Sequence, residues 1–467
     1  MTRHPATPDS AVEYEHHTTP RTDIEAEPAR EPCSSTIDSA ADGVPRRDVR
    51  GSSEDEAALD TRSSRILEKL ARAKADPSLL KSFGAAKHEF TLNPPLPESA
   101  IVGFEAEHGV TLPADYRRFL LELGDGGAGP SYGLLRLSAA YTEPFDYPGA
   151  LTEPSAFVPG TEYSTGWWDD FPGPDDRRPD PLQGTLSVVH HGCSDFTQLV
   201  VTGPGRGRLV NVNWDGAVPP YVLEDLDFLS WYERWLDELL AGHRVAGFGD
   251  KLPGDEGILI DILATDPAPS RRSRAATSLA QLARLSPTAV RALETATTDP
   301  AAAVRTAVLG VAWRCDIEIE NAARAALSDP EAAVRAEAIS VLRVRRTADL
   351  AEQARAQLTT DDPELIRRAL QALGDSADLT SADIAPLLNR EDHRIRTSAA
   401  FHLGDARDSA TEALAHALAD EHPGVRLLAV QTASRRDDRA LLPLLRRMLA
   451  TESDETVVVN LRRVLGE

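Results

Sequence analysis

Past Lys251 the 467-residue chain contains no lysine, and before it only four. Every cation of the C-terminal half is therefore a planar guanidinium, which pairs with a carboxylate through a rigid two-pronged fork. Cysteine is equally scarce: Cys33, Cys193 and Cys315 lie far apart and in odd number. Such a set gives no disulfide framework and no multi-cysteine metal site, so reduced thiols in a cytoplasmic setting are the expectation. No uninterrupted apolar run is long enough to span a bilayer, and the opening MTRHPATPDSAVEYEHH has no apolar signal core. Neither export nor a membrane span is expected. Bulk positive charge is missing too. Against 50 Lys and Arg stand 74 Asp and Glu, a formal net charge of −24 that would repel a polyanion, so nucleic acid is not an expected partner.

What the chain does contain falls into blocks. Residues 1–61 are acidic, rich in Pro, Ser and Thr, and carry isolated apolar residues with no period. Such a stretch cannot bury enough apolar surface to offset its ordering entropy, which predicts a disordered tail. From Arg62 the pattern turns helical, with Ile66, Leu67, Leu70 and Ala73 on one stripe. Two more helices are signalled by LPESAIVGFEAEHG and LPADYRRFLLELG, each opened by Pro and closed by Gly. The turn GDGGAGPSYGLLRL leads into β structure; it follows a helix and precedes a strand, the reverse of what a phosphate-binding loop needs. After a Pro- and Asp-rich insertion over residues 138–183, GTLSVVHHGCSDFTQLVVTGPGRGRLVNVNW reads as an antiparallel meander. An amphipathic helix, DLDFLSWYERWLDELLAG, closes the unit, and a Gly/Pro joint at 248–257 reads as a linker.

From residue 258 to 467 the sequence repeats. TDPAAAVRTAVLGVA, SDPEAAVRAEAISVL, DDPELIRRALQALG, REDHRIRTSAAFHLG and DEHPGVRLLAVQTA are variants of one line, with Arg274, Arg305, Arg335, Arg367, Arg396 and Arg426 at the shared position and Val458 at the last copy. A period near thirty residues with two helices per copy predicts a solenoid of about seven repeats, each burying its apolar face on its neighbours. Residues 253–467 carry 27 Arg and 33 acids, so the arginines are expected in Asp/Arg pairs between copies rather than as a basic stripe. Asp299, Arg305, Asp329, Arg335, Asp362, Arg367, Arg396, Asp420 and Arg426 are the candidate members of that ladder.

Residues 112–137, 184–209 and 227–240 bear a resemblance to the SUKH superfamily, the Smi/Knr cell-wall regulators and bacterial immunity proteins: helix, glycine-rich turn, strand, meander and closing helix occur in that family's order. The resemblance implies an α+β domain over residues 62–247 that binds a protein partner, with neutralisation of a toxin as one form of that role. The C-terminal half resembles short bacterial HEAT repeats of the phycobilisome-lyase type, and lyase activity is not carried over with the fold. The expected fold class is thus an α+β domain with an antiparallel sheet, followed by an all-α solenoid.

Two kinds of function follow. In the first, the chain is a non-enzymatic interaction scaffold without cofactor or metal. Trp167 and Trp168 beside Asp169 and Asp170, together with Tyr132, are then the candidate partner-binding residues, because aromatic rings dominate interface hot spots. The same Trp pair would also serve simply to pack down on the sheet. In the second, the chain is a small metal- or thiol-dependent enzyme, or a lyase-like protein, that uses His190, His191, Cys193 and Asp195. An extended strand spreads the last three over about 13 Å at roughly 3.3 Å per residue, so they converge only if Gly192 bends the chain.

Overall fold

In the computed structural model, residues 53–139, 150–170, 181–216, 218–245 and 248–467 are described, without the side chains of residues 53–60, 165 and 170. Most of the expected tail, residues 1–52, lies outside them. Residues 53–61, also assigned to the tail, instead form the start of helix α1, Ser53–Ala75. Glu54, Asp55 and Glu56 are acidic residue types at its start, the type that a helix N-terminus favours. Their polarity, which argued for disorder, suits a helix start equally well.

Helices α2, Glu98–His108, and α3, Ala114–Glu122, follow. The strands β1, Thr185–Gly192, β2, Asp195–Val200, β3, Leu209–Asn213, and β4, Tyr221–Val222, form an antiparallel sheet in that order. The expected strand over GLLRL is reduced to isolated bridges of Leu134 with Gly127 and Val189. Helix α4, Phe228–Leu240, is capped by the Asp227 carboxylate, which accepts from Ser230 N–H at 2.7 Å. It buries Phe228, Trp231, Tyr232 and Trp235 against α1, α3 and the sheet's inner face. Glu233, on its other side, accepts from Arg62, Arg65 and Lys69 of α1, which ties the first helix to the last of this part. The outer face of the sheet has its own small core of Phe157, Leu182, Val200, Val210, Val212 and Val222.

The repeats run as helix pairs: α5, Glu256–Thr265, with α6, Pro269–Leu279; α7, Pro287–Ala296, with α8, Ala302–Arg314; and α9, Glu320–Ala326, with α10, Ala332–Arg345. They continue with α11, Leu350–Ala356, and α12, Pro363–Asp375, then α13, Ser381–Ile384, and α14, His393–His402. Last come α15, Thr411–Ala417, with α16, Pro423–Arg435, and α17, Leu442–Leu449, with α18, Glu455–Leu465. Each even-numbered helix packs on the next, and one apolar core runs from Leu252 to Leu461. None of the described helices is long and apolar enough to cross a membrane.

Arginine binds successive copies together in a fixed manner. Arg305 donates from one terminal nitrogen to the Asp299 and Pro300 carbonyls of its own turn, and from Nε and the other nitrogen to both oxygens of Asp329 in the next copy, at 2.7 and 2.8 Å. Asp329 in turn accepts from Glu331 N–H, so its carboxylate is fixed on both sides. Arg396 repeats this with Asp420, and Arg426 with Glu452. The bonds from Arg305 and Arg426 hold the Asp329 and Glu452 carboxyls below their usual range, Glu452 at about 2.

Several expected members stand elsewhere. In the first copy the position belongs to Arg272, which pairs with Asp299, and not to Arg274. Arg335 keeps the bonds to its own turn but has no carboxylate within 4.0 Å among the described residues. The place of Asp329 and Asp420, two residues before the helix cap, is held by Thr360 in the fourth copy, which accepts from Asp362 N–H, and by Arg390 in the fifth. Arg367 turns to Glu364 on its own helix, and Asp362 caps that helix by accepting from Leu365 N–H. The acidic line therefore breaks at the fourth and fifth copies and resumes at Asp420.

The segment 248–257, expected as a linker, is a packed junction. Lys251 is 1 % exposed and donates to Glu238 of α4 at 2.9 Å and to the carbonyls of Leu252 and Gly254. Arg234 joins the same carboxylate and makes a two-pronged pair with Asp225 at 2.6 and 2.8 Å. Phe248 packs under Arg234, and Leu252 N–H donates to Ser278 of α6. Gly and Pro signalled a turn correctly, but a turn wrapped round a buried ammonium is fixed rather than loose.

Arg305→Ala is expected to lower stability by about 1–3 kcal/mol, through loss of charge-assisted bonds and a carboxylate left half-buried. Arg367→Ala, at an exposed pair, should change it by less than about 0.5 kcal/mol. Urea midpoints check this, and equal shifts in the two variants would refute the role given to the staple. Lys251→Met leaves the buried Glu238 carboxylate to Arg234 and removes the donor from the Leu252 and Gly254 carbonyls, which should cost about 3–5 kcal/mol, whereas adding Glu238→Gln should recover part of that loss. Strict additivity of the two changes in the same titrations would contradict the pairing.

Candidate functional site

Between the end of the sheet and the first repeats lies a cleft of about 870 Å³. Antiparallel register builds one wall. Asp195 pairs with Asn213 and Thr197 with Asn211 across β2 and β3, so Asp195, Thr197, Asn211 and Asn213 share a face, and Tyr221, opposite Asn211, extends it. The other wall is the start of α6, with Ser270, Ser273, Arg274 and Thr277.

A hydrogen-bonded relay underlies this wall, and its direction follows from its last member. The Asn211 amide nitrogen faces two acceptors, the Phe248 carbonyl at 3.3 Å and the Asp250 carboxylate at 3.0 Å, so its oxygen faces Thr197. Thr197 must then donate to Asn211, at 2.8 Å, and accept from His191 Nε2–H at 2.7 Å. His191 Nδ1 is left as the acceptor for the Ser131 hydroxyl at 3.0 Å. The assigned chain is Ser131 to His191 to Thr197 to Asn211 to Asp250, with a neutral imidazole. Burial lowers His191 to about 4. Ser131 sits at φ +51°, and its carbonyl approaches Gly84 so closely that a Cβ there would lie 2.0 Å from the oxygen. Only glycine leaves room for that turn.

The sequence candidates part company here. Gly192, at φ +117°, does bend β1, and the pairing slips between His190 and Gly192. Even so, His191, Cys193 and Asp195 do not converge: His191 is held in the relay, Cys193 is exposed in the turn, and Asp195 accepts from Asn213 at 2.7 Å. No group of three His, Cys, Asp or Glu among the described residues could hold a metal ion. Trp167 and Trp168 are half-buried on the outer sheet face, where Trp167 lies 5.3 Å from Phe157 and Trp168 donates to the Val218 carbonyl at 3.4 Å. Asp169 is exposed, and the Asp170 side chain lies outside the described residues.

Tyr132 belongs to a row of rings that sequence reasoning did not assemble. Phe83 and Tyr132 have centroids 5.1 Å apart, and Tyr132 lies 6.0 Å from His190. His190, Phe196 and Trp214 then stack at 4.5 and 3.9 Å with nearly parallel planes. Phe196 and Trp214 also border the cluster on which Trp167 and Trp168 rest. Phe83, at the free end of the row, is 57 % exposed at the mouth of the cleft. The one sequence signal for it was a large apolar residue in the polar run KSFGAAKHEF.

Two charged features complete the cleft. The Arg274 guanidinium carbon lies over Tyr221, 3.3 Å from the ring centroid, and the side chain donates to the Asp250 backbone carbonyl. Asp195 and Asp250 have no cation within 4.0 Å among the described residues. The Asp250 carboxyl is crowded by protein atoms while the residue stays open to solvent, and this crowding, with Asp195 nearby, raises its pKa.

Because folded His191 takes up a proton only near pH 4 while the unfolded chain does so near 6.5, stability should fall between about pH 6.5 and 4, by roughly 1–3 kcal/mol, and be independent of this group above that window. His191→Gln should flatten that part of the stability–pH curve. An unchanged slope would refute the neutral relay.

Residues 381–465 match the family of HEAT repeats, in agreement with the helix pairs α13 to α18. A comparison with curated proteins gave no match. Among solved structures, YibA of Escherichia coli is 18 % identical over 52 % of this chain and 89 % of its own, with a TM-score of 0.38. The CpcE–CpcF complex of phycocyanin lyase from Nostoc is 18 % identical over 46 % and 94 %, with a TM-score of 0.30. Human deoxyhypusine hydroxylase is 18 % identical over 45 % and 94 %, with a TM-score of 0.23. The C-terminal part of the chain carries HEAT-type helical repeats.

Proposed function

We propose that the chain is a non-catalytic protein-interaction scaffold whose binding surface is the aromatic row and the cleft beside it. The observation that carries this reading is the row itself: five rings in sequence round the end of the sheet, with Phe83 and Tyr132 exposed. Tyr, Trp and Phe in such a setting offer large, stiff contact area at little entropic cost, which is what interface anchors need. The fixed junction at Lys251 supports the same reading, because it holds the sheet against the first repeats and so preserves the shape of the cleft. HEAT repeats supply further surface of the kind used for extended contacts. The narrower role, neutralisation of a basic toxin domain, rests on the SUKH resemblance of the α+β part and on the net charge, which would steer a basic partner toward the chain.

A photo-reactive amino acid placed at Tyr132 or at Val218, both exposed beside the row, should trap a protein of defined mass in native cells. The same probe at Leu226, exposed elsewhere, should not. Equal trapping at all three positions, or none at Tyr132 and Val218, would sink the proposal.

A further inference from the structure

The cleft contains an exposed ring and an uncompensated carboxylate side by side. Register places Gly192 directly opposite Asp195. A Cβ on Gly192 would lie 3.7 Å from the tip of the Phe83 ring and 3.4 Å from Tyr132, so Phe83 and Asp195 flank the same glycine. Phe196 has both faces covered by His190 and Trp214, and the Tyr221 ring carries Arg274; the Phe83 ring, by contrast, is largely open. Asp250 adds a second carboxyl to the same cleft.

Building on the scaffold reading, we propose that the cleft seats an arginine side chain of a basic protein partner, its guanidinium flat on Phe83 and its N–H edge on Asp195. A planar cation that stacks on a ring while donating in its own plane fits a ring beside a carboxylate. The protein already shows this mode a short way along the cleft, where Arg274 lies on Tyr221 and donates to the Asp250 carbonyl. Lysine would satisfy the carboxylate but not the stacking plane. The chain's charge of −24 favours a cationic occupant from a distance, and at contact Asp195, which has no cation within 4.0 Å among the described residues, favours it more than Asp250, which Arg274 already faces.

The test uses the full chain and fluorescein-labelled acetyl-(Gly-Arg)4-amide as probe, with Lys, Gln and Glu versions of the same peptide, followed by anisotropy at fixed salt. The Arg peptide should bind more tightly than the Lys peptide, and the Gln and Glu peptides should not compete. Asp195→Asn and Phe83→Leu should each weaken it by about fivefold or more, while Glu331→Gln, an equal change of charge on the repeats, should weaken it less than about twofold. Both cleft positions are exposed, and melting curves will show that the variants fold. Equal weakening by Asp195→Asn and Glu331→Gln, tighter binding of the Glu peptide, or no binding of the Arg peptide at about 1 mM would each overturn the proposal. Trapping at Tyr132 without any of these Arg effects would leave the scaffold reading standing and refute this occupant alone.

Discussion

The structure depends on a guanidinium doing two things at once. In Arg272, Arg305, Arg396 and Arg426 one nitrogen satisfies carbonyls of the turn that starts a helix, and the remaining fork grips a carboxylate of the following copy. A turn's unpaired carbonyls and a neighbour's charge are thus dealt with by one side chain, which an ammonium, lacking a planar fork, cannot reproduce. This accounts for the missing lysines better than any preference of surface composition. The apolar faces hold the copies together; the staple fixes the rotation of one on the next.

The single lysine at the start of that region works by the opposite principle. Lys251 has a compact charge surrounded by Glu238 and two carbonyls, and it organises a turn rather than bridging two regular elements. Around it Asp250, Phe248 and Leu252 reach three different places: the relay from His191, the ring under Arg234, and Ser278 of α6. The end of the sheet, the closing helix and the first repeat are therefore positioned by one five-residue stretch. A cleft between such parts keeps a defined width because this stretch is pinned, and the two-pronged pair of Arg271 in α6 with Glu224 holds the same parts from another side.

How much of this could be read in the amino-acid order depended on how local each cause was. The repeats were legible because the Asp and Arg that carry the staple stand six residues apart in one copy and recur near thirty. Arg272 was missed because SRRSR offers three arginines, and only the start of α6 decides which one faces the turn. The Arg335 and Arg367 positions looked equivalent on spacing alone, whereas the outcome rests on Thr360, which stands where an acid was needed, and on Glu364, which nothing in the repeat line marks as the partner of Arg367. The relay was illegible for a similar reason: Ser131 and His191 lie 60 residues apart, and nothing in either neighbourhood announces the other. Trp167 and Trp168 were noticeable as residues, yet their half-burial on the outer face is set by Phe157 and by a strand that follows them.

The break in the acidic line at the fourth and fifth copies changes how neighbours are gripped there. On either side of it the bridging carboxylates are nearly enclosed; across it Arg368 with Glu337 and Arg355 with Asp383 also end on enclosed carboxylates, whereas Arg343 with Asp375 and Arg390 with Asp361 end on carboxylates mostly open to water. Water competes for those bonds and salt screens them, so their resistance to twist is lower. The forked grip is thus absent on both sides of α12, whose rotation on its neighbours is set by its apolar face and by single-pronged pairs such as Arg368 with Glu337 and Arg343 with Asp375.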